Sequence, residues 1–561
     1  MVYKVGIDLG TTNSVIAYTE LGQQRCVKVE ENEFTSAVLP SCVATKNGQV
    51  VVGARARRDP NCVREFKRHI GEDISFPLGE EVLTPVELSA LVLRQLKEGF
   101  ERKVGPIDGA VITVPANFTD RKRAETKEAG RLAGLEVLRV INEPSAAAIA
   151  YARSSRPPGT NALVIDWGGG TLDVSLIDCL EGVLDIKAND GDERCGGKDL
   201  DDAIYALLSD KVRHQLGGNA DDPGVRNELM MHCEAIKVHL SSELLWDEPL
   251  NIRSVRSFLD FELTRAELEQ VAIPLVNRVM SAVKRCLEKS PEGSVDPAQV
   301  TDVILVGGSC NLPLLRRRVA EFFGQEPRCD QNLMEVVALG AAYQAEHARE
   351  AGDLITIHSL THSLGVSCAG ADSKGVLRPD LFVPILEGTM KLPARGMHTF
   401  STMRDNQDAI LVRVYEALVP GETVAEMTAW GEKEIGDLPP APAGSYPINI
   451  AFDYDVEQRL SVHVEVPGHG ISKSWAANHV EGLQSKHDAS SATLTRLASS
   501  AEESLLDYVA KVRAKSSLLS AKTTGLLGEL EAALEAKDME GARAAKSALA
   551  EALFEANISL G

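Results

Sequence analysis

Gly6-Ile7-Asp8-Leu9-Gly10-Thr11-Thr12 stands near the start of the chain, and Asp166-Trp167-Gly168-Gly169-Gly170-Thr171 repeats its chemistry further on. In both, an apolar run ends in Asp, and Gly and Thr follow. Glycine lets backbone N–H groups approach an anion closely, and a carboxylate at a strand end faces the edge where ligands of open α/β sheets gather. Two such copies in order predict a duplicated lobe with a phosphate-binding cleft between the halves. Gly10, Gly168, Gly169, Gly170, Gly196, Gly197, Gly307 and Gly308 are the candidate cradle, and Asp8 and Asp166 the candidates for holding Mg2+ through its waters. No G-x-x-x-x-G-K-[ST] loop is present, and no G-x-G-x-x-G opens a dinucleotide-binding unit.

Outward from these motifs, short apolar runs alternate with longer amphipathic stretches up to about residue 350, the pattern of α/β domains with covered sheets. Val111-Ile112-Thr113-Val114, Ala162-Leu163-Val164-Ile165 and Val303-Ile304-Leu305-Val306 are the clearest buried strands. From about Leu360 to Ser474 the period becomes two, as in Ile410-Leu411-Val412-Arg413-Val414-Tyr415, which predicts a β sandwich. The remainder is rich in Ala, Leu, Glu and Lys. Leu526, Leu530 and Leu534 recur every four residues, as a small helical bundle requires. The expected organisation is therefore 1–352, 353–359 as a linker, 360–475, and 476–561 as a helical tail: α/β, then β, then α.

With 561 residues the chain exceeds what one core supports. Its formal net charge of −22 opposes nucleic-acid binding. The basic run Arg316-Arg317-Arg318 reads as a solvated helix face without a role. Ten cysteines occur without a C-x-x-C pair, and the start reads as a strand rather than a leader, so reduced thiols in a cytoplasm are expected. His358 and His362 stand four apart in an extended stretch and are not read as a metal site. No apolar run is long enough to span a bilayer.

Four segments now converge: Gly6 to Ser14, Ile112 to Phe118 (Ile-Thr-Val-Pro-Ala-Asn-Phe), Ile141 to Ala148 (Ile-Asn-Glu-Pro-Ser-Ala-Ala-Ala) and Asp302 to Ser309 (Asp-Val-Ile-Leu-Val-Gly-Gly-Ser). In this order they closely resemble the heat shock protein 70 (DnaK) chaperones, over about residues 2 to 475 and loosely through the tail. The length and short tail look more like the specialised HscC-type members. The resemblance implies an actin-like two-lobed ATPase domain binding ATP or ADP with Mg2+, a β-sandwich domain for extended hydrophobic peptides, and a short helical lid. It places Asp8, Asp166 and Asp173 around the metal and attacking water, and Thr11, Thr12 and Thr171 at the phosphates. Lys67 matches the catalytic lysine, and Glu143 the carboxylate that positions it. Glu234, Lys237 and Ser241, spaced for one helix face, match the adenosine side. Asn311 stands where relatives carry an adenine-stacking arginine.

For coupling, the resemblance points to Pro115 and Arg123 as an interlobe switch, Arg139 as a contact for a J-domain co-chaperone, and Leu354, Ile355 and Ile357 as linker residues that add a strand to the ATPase domain. Here Thr356 interrupts the apolar linker and His358 replaces its final acid. Val366, Ala369, Met403 and Ile410 match the peptide groove, although alternating apolar residues in a sandwich mostly fill its core. Ala369 and Met403 reverse the usual large and small arch residues, and the short loop between Ser242 and Glu262 argues against the usual nucleotide-exchange factor. An actin-fold small-molecule kinase would not need the period-two region. A filament-forming actin-like protein would polymerise on ATP.

Overall fold

The computed structural model describes most of residues 2–477, with its main gaps at 31–36, 153–160, 217–221, 349–354 and 418–422; of 478–561 it describes the helix Ala521–Glu535 and scattered residues. Two sheets built on one plan dominate the first 350 residues. In the first, Tyr3–Asp8 pairs antiparallel with Asn13–Glu20 and parallel with Ile107–Val114. In the second, Ala162–Trp167 pairs antiparallel with Leu172–Leu180 and parallel with Asp302–Val306. The two Asp-Gly-Thr segments thus occupy equivalent ends of equivalent strands. All six residues of Ala162–Trp167 are buried, which explains a continuous apolar run where a half-exposed strand would alternate.

Between the sheets lie the helices Glu143–Ala152 and Val336–Glu346, sharing a cluster with Val111 and Ile141 of one sheet and Val164 and Ile304 of the other. Their seam is made of small residues. A Cβ on Gly340 would stand 1.8 Å from the carbonyl oxygen of Ala146, so only glycine permits this backbone approach. Other helices start where the residues dictate: Thr84 caps Pro85–Lys103 and Thr264 caps Arg265–Glu288, each in a reciprocal pair with the Glu three residues on.

Beyond residue 360, two four-stranded antiparallel sheets face each other: Leu377–Leu386, Ser363–Ala371, Ile410–Ala417 and Thr428–Ile435 against Ala394–Phe400, Ile448–Tyr454, Leu460–Val466 and Ile471–Ala477. Val366, Val412, Val414, Phe452, Val462 and Val464 fill the space between. In the tail, Leu530 and Leu534 are buried with Val512, Ala542 and Leu549. Ile355–Ile357 pairs parallel with Val183–Asp185 as an edge strand of the second sheet. Leu354 and His358 lie outside the described residues. The sandwich touches the lobes directly: the Tyr454 hydroxyl donates to Asp120, and Lys391 pairs with Asp185.

Candidate active site

A cavity of about 490 Å3 lies between the two sheets. Asp8, Gly10, Thr11 and Thr12 line it from the first lobe and Asp166, Gly168, Gly169 and Thr171 from the second, while Gly307 and Gly308 follow the strand that ends at Val306. The two glycine loops nearly touch. A Cβ on Gly169 would lie 2.0 Å from Thr12 Oγ1. Gly170, Gly196 and Gly197 sit behind the lining: Arg68 donates to the Gly170 carbonyl at 2.6 Å and the Gly197 amide to the Gly168 carbonyl at 3.0 Å.

At the inner end Lys67 is 3% exposed, and its Nζ donates to Glu143 Oε1 at 2.8 Å. Lys67 comes from a single helical turn, Phe66–His69, and Glu143 from the first residue of its helix, where the helix dipole favours a carboxylate. Asp8 accepts from Thr113 Oγ1 at 3.0 Å, on the strand beside it. Asp166 stands directly opposite Asp173 across the antiparallel pair.

These carboxylates crowd a single ammonium. Burial first, then Glu143, raises Asp8 to about 7 against the pull of Lys67. The same causes, in the same order, raise Asp173 to about 8, and burial with three neighbouring carboxylates holds Asp166 well above its ordinary value. Asp173 Oδ1 is buried without a hydrogen-bond partner. Buried carboxylates held this far up are stabilised by a cation, so the site's chemistry fits a divalent ion. Among the described residues no three His, Cys, Asp or Glu side chains form a ready-made metal cluster.

The rest of the lining mixes apolar and polar side chains. Val238, Leu312, Met334 and Val337 stand there with Glu234, Lys237, Ser241, Asn311 and Arg316. Glu234, Lys237 and Ser241 share the helix Pro223–Ser242; Lys237 pairs with Asp201 at 2.8 Å and donates to the Gly197 carbonyl at 2.9 Å, tying that helix to the second glycine loop. Glu234 reaches the opposite lobe, pairing with Arg57 at 2.9 Å.

Arg316 corrects the sequence reading of its run. Arg317 and Arg318 point outward to Glu269 and Asn277, but Arg316 turns in, donating from Nε to the Cys310 carbonyl at 3.0 Å and from its guanidinium to Asn311 Oδ1 at 2.8 Å. Asn311 is anchored in turn on the Gly308 carbonyl at 3.0 Å. An arginine therefore borders the cavity from a different place in the sequence.

The Hsp70 family model matches residues 4–78 and 73–560. The chain belongs to the Hsp70 family. The chaperone protein DnaK of Thermotoga petrophila is 34% identical over 490 residues, covering 84% of this chain and 80% of the relative. The DnaK proteins of Thermotoga maritima and Thermotoga neapolitana match to the same extent. As an Hsp70, the protein is an ATPase and an ATP-dependent molecular chaperone.

The other residues singled out from the sequence lie outside the cavity lining. Pro115 is buried, and Arg123 donates to the Phe118 carbonyl at 3.1 Å and to Asn142 Oδ1 at 2.5 Å. Arg139 is exposed and reaches the Ala348 carbonyl at 3.3 Å. In the sandwich, Val366 is buried in the core, Ile410 is partly covered, Ala369 is exposed, and Met403 is 58% exposed. Among the described residues no helix is long and apolar enough to cross a membrane.

Proposed function

We propose that the cavity between the lobes is the ATP site of this chaperone, in an actin-like two-lobed arrangement. The observation that carries the reading is the buried Lys67–Glu143 pair facing Asp8, Asp166 and Asp173, an ammonium and four carboxylates in a space bordered by two glycine loops. Phosphoryl transfer is catalysed chiefly by positioning and charge neutralisation. Glu143 holds the Lys67 ammonium toward the phosphate end, and the glycine loops with Thr11, Thr12 and Thr171 offer donors to phosphate oxygens. Asp173, buried beside them, is placed to orient water. Asp8 and Asp166 would hold Mg2+ through its waters, and the ion would supply the charge that neutralises the phosphates.

The β sandwich is proposed as the peptide-binding unit, with the tail as a short lid. Met403 is the strongest groove candidate, since an apolar side chain left 58% exposed has no core role. Val366, buried among core residues, supports a groove only from behind. The strand Ile355–Ile357 and the Tyr454–Asp120 and Lys391–Asp185 contacts favour coupling between peptide and nucleotide units. Arg139 remains the proposed contact for a J-domain partner, and a cytoplasmic, specialised role of HscC type agrees with the reversed arch and altered linker.

The test is functional. An apolar heptapeptide should accelerate ATP hydrolysis by the full-length protein, and ATP should hasten release of that peptide. If neither occurs, the coupled chaperone reading fails; phosphorylation of a small acceptor or polymerisation on ATP would replace it.

A further inference from the structure

Outside the cavity, two cysteines that are twenty positions apart meet in a small apolar cluster beneath the first lobe's rim. Cys42 is 4% exposed on the strand Cys42–Lys46, packed with Ala44 and Ala56, and Cys62 packs against the same cluster from the loop before Val63–Arg64. Cys42 is paired with Arg64 and Val43 with Val63 in an antiparallel register, which sets Cys62 across from Ala44 and diagonal to Cys42, and the shared cluster brings the two cysteines together. Cys62 is only half-buried, whereas Cys42 is sealed.

The pair is chemically unequal. The neighbouring Cys42 thiol and then the Arg64 guanidinium favour the ionised form of Cys62 and lower its pKa despite its burial. Its neighbour Cys62, with burial, raises Cys42 far above the usual thiol range. A partly exposed thiol whose ionised form is favoured, packed beside a second thiol, is the arrangement that reacts with peroxides and then closes to a disulfide.

We propose that Cys42 and Cys62 form a reversible disulfide on exposure to a hydroperoxide, and that this loosens the clasp over the nucleotide cavity. The Cys62 thiolate attacks one peroxide oxygen, breaking the O–O bond to leave a sulfenic acid and hydroxide, which takes the Cys42 proton. Cys42 sulfur then attacks the sulfenic sulfur; the S–O bond breaks and, with a proton from solvent, the second water leaves. Two thiols and one hydrogen peroxide give one disulfide and two waters.

The cluster is tied to the clasp. The Cys42 thiol donates to the carbonyl of Gly53 at 3.3 Å, and Gly53 caps the short helix Ala54–Arg57. That helix carries Arg57, which crosses to Glu234, and the following loop offers the Asp59 carbonyl to Asn227 at 3.5 Å. Both partners lie on Pro223–Ser242, the helix that lines the outer end of the cavity. Closing the disulfide removes the donor from Gly53 and draws Cys62 inward toward sealed Cys42, taking its loop off the opposite lobe. The consequence for nucleotide depends on the reading of the cavity as the ATP site.

Full-length protein is treated with hydrogen peroxide, alkylated and digested with trypsin, and release of a fluorescent ADP is timed before and after. The expected results are a linked species joining fragments 29–46 and 59–64, and ADP release faster by about fivefold, restored by dithiothreitol. Cys62→Ser and, separately, Cys42→Ser should release ADP like reduced wild type and not respond to peroxide. Absence of the linked species overturns the inference, and so does a linked species with unchanged release. Reduced wild type that binds no ADP overturns the cavity reading as well.

Discussion

Tyr454, on a strand of the β sandwich, donates its hydroxyl hydrogen bond to the carboxylate of Asp120, in the first turn of the helix Asp120–Leu132. Around them Glu416 accepts from the Trp430 indole at 2.8 Å and stands 3.4 Å from His362, while Arg123 contributes its charge from the lobe. Tyr454, Glu416, His362 and Arg123 are all buried. Tyr454→Phe removes one hydrogen bond to a charged group and leaves Asp120 buried without it, worth about 1.5–3 kcal/mol. ATP-driven release of a bound peptide should therefore lose roughly tenfold or more of its acceleration, measured by stopped-flow fluorescence; an unchanged acceleration would remove this contact from the coupling route.

The same nest makes docking depend on pH. Burial first, then the charge of Asp120, raises Glu416 to about 8, so the docked form carries a proton that an exposed Glu416 gives up above its ordinary 4.5. A carboxyl with a raised pKa favours docking at low pH, and that contribution is lost as pH rises through about 8. His362 acts in the opposite direction: burial lowers it from 6.5 to about 3, so docking weakens as pH falls below 6.5. Between pH 6.5 and 8 Glu416 is the member of this nest that acts, and its share of ATP-stimulated peptide release should weaken by up to about tenfold per pH unit as pH rises, on top of any change from Asp8 and Asp173 in the cavity. Glu416→Gln, which keeps the shape without the titration, should flatten that slope.

Lys67→Ala takes away the one buried ammonium of the site. Hydrolysis measured in single turnover should fall at least about a hundredfold. Nucleotide affinity should change by only a few-fold, because the glycine loops and outer wall remain. An equal loss in both would make Lys67 a binding residue.

Arg316→Ala should weaken binding of labelled ADP by roughly threefold to thirtyfold, the range expected for a guanidinium stacked on an aromatic system. Asn311→Ala, which frees the guanidinium without removing it, should give a smaller loss. Equal affinity in wild type and Arg316→Ala would make the arginine a cap for the Cys310 and Asn311 turn only.

Asp8 and Asp166 were legible because each ends an apolar run and is followed by glycine and threonine, a local signal that survives without neighbours. Arg316 was not, since in a run of three arginines the inward one is selected by helix phase after Pro313 and by the carbonyl of Cys310. Arg57 and Glu234 lie 177 positions apart, and nothing in either surrounding stretch marks them as partners. Period two identified the sandwich strands, but it gives Val366 in the core and Ile410 near the surface the same pattern. The nest at Tyr454 was invisible for a related reason: each of its members is ordinary in its own segment.

The seam between the two lobes, where the backbone at Gly340 meets the backbone at Ala146, acts as a fulcrum. Around that backbone contact Ile149, Tyr151, Val337 and Tyr343 pack in one buried cluster, so the seam is a stiff pivot rather than a sliding one. The outer rim, where Arg57 grips Glu234, is the far end of that lever, so a slight tilt at the seam becomes a wide opening at the mouth. A larger residue at the fulcrum would push apart the two helices that carry Glu143 and Val337, so the cavity wall would shift with the pivot.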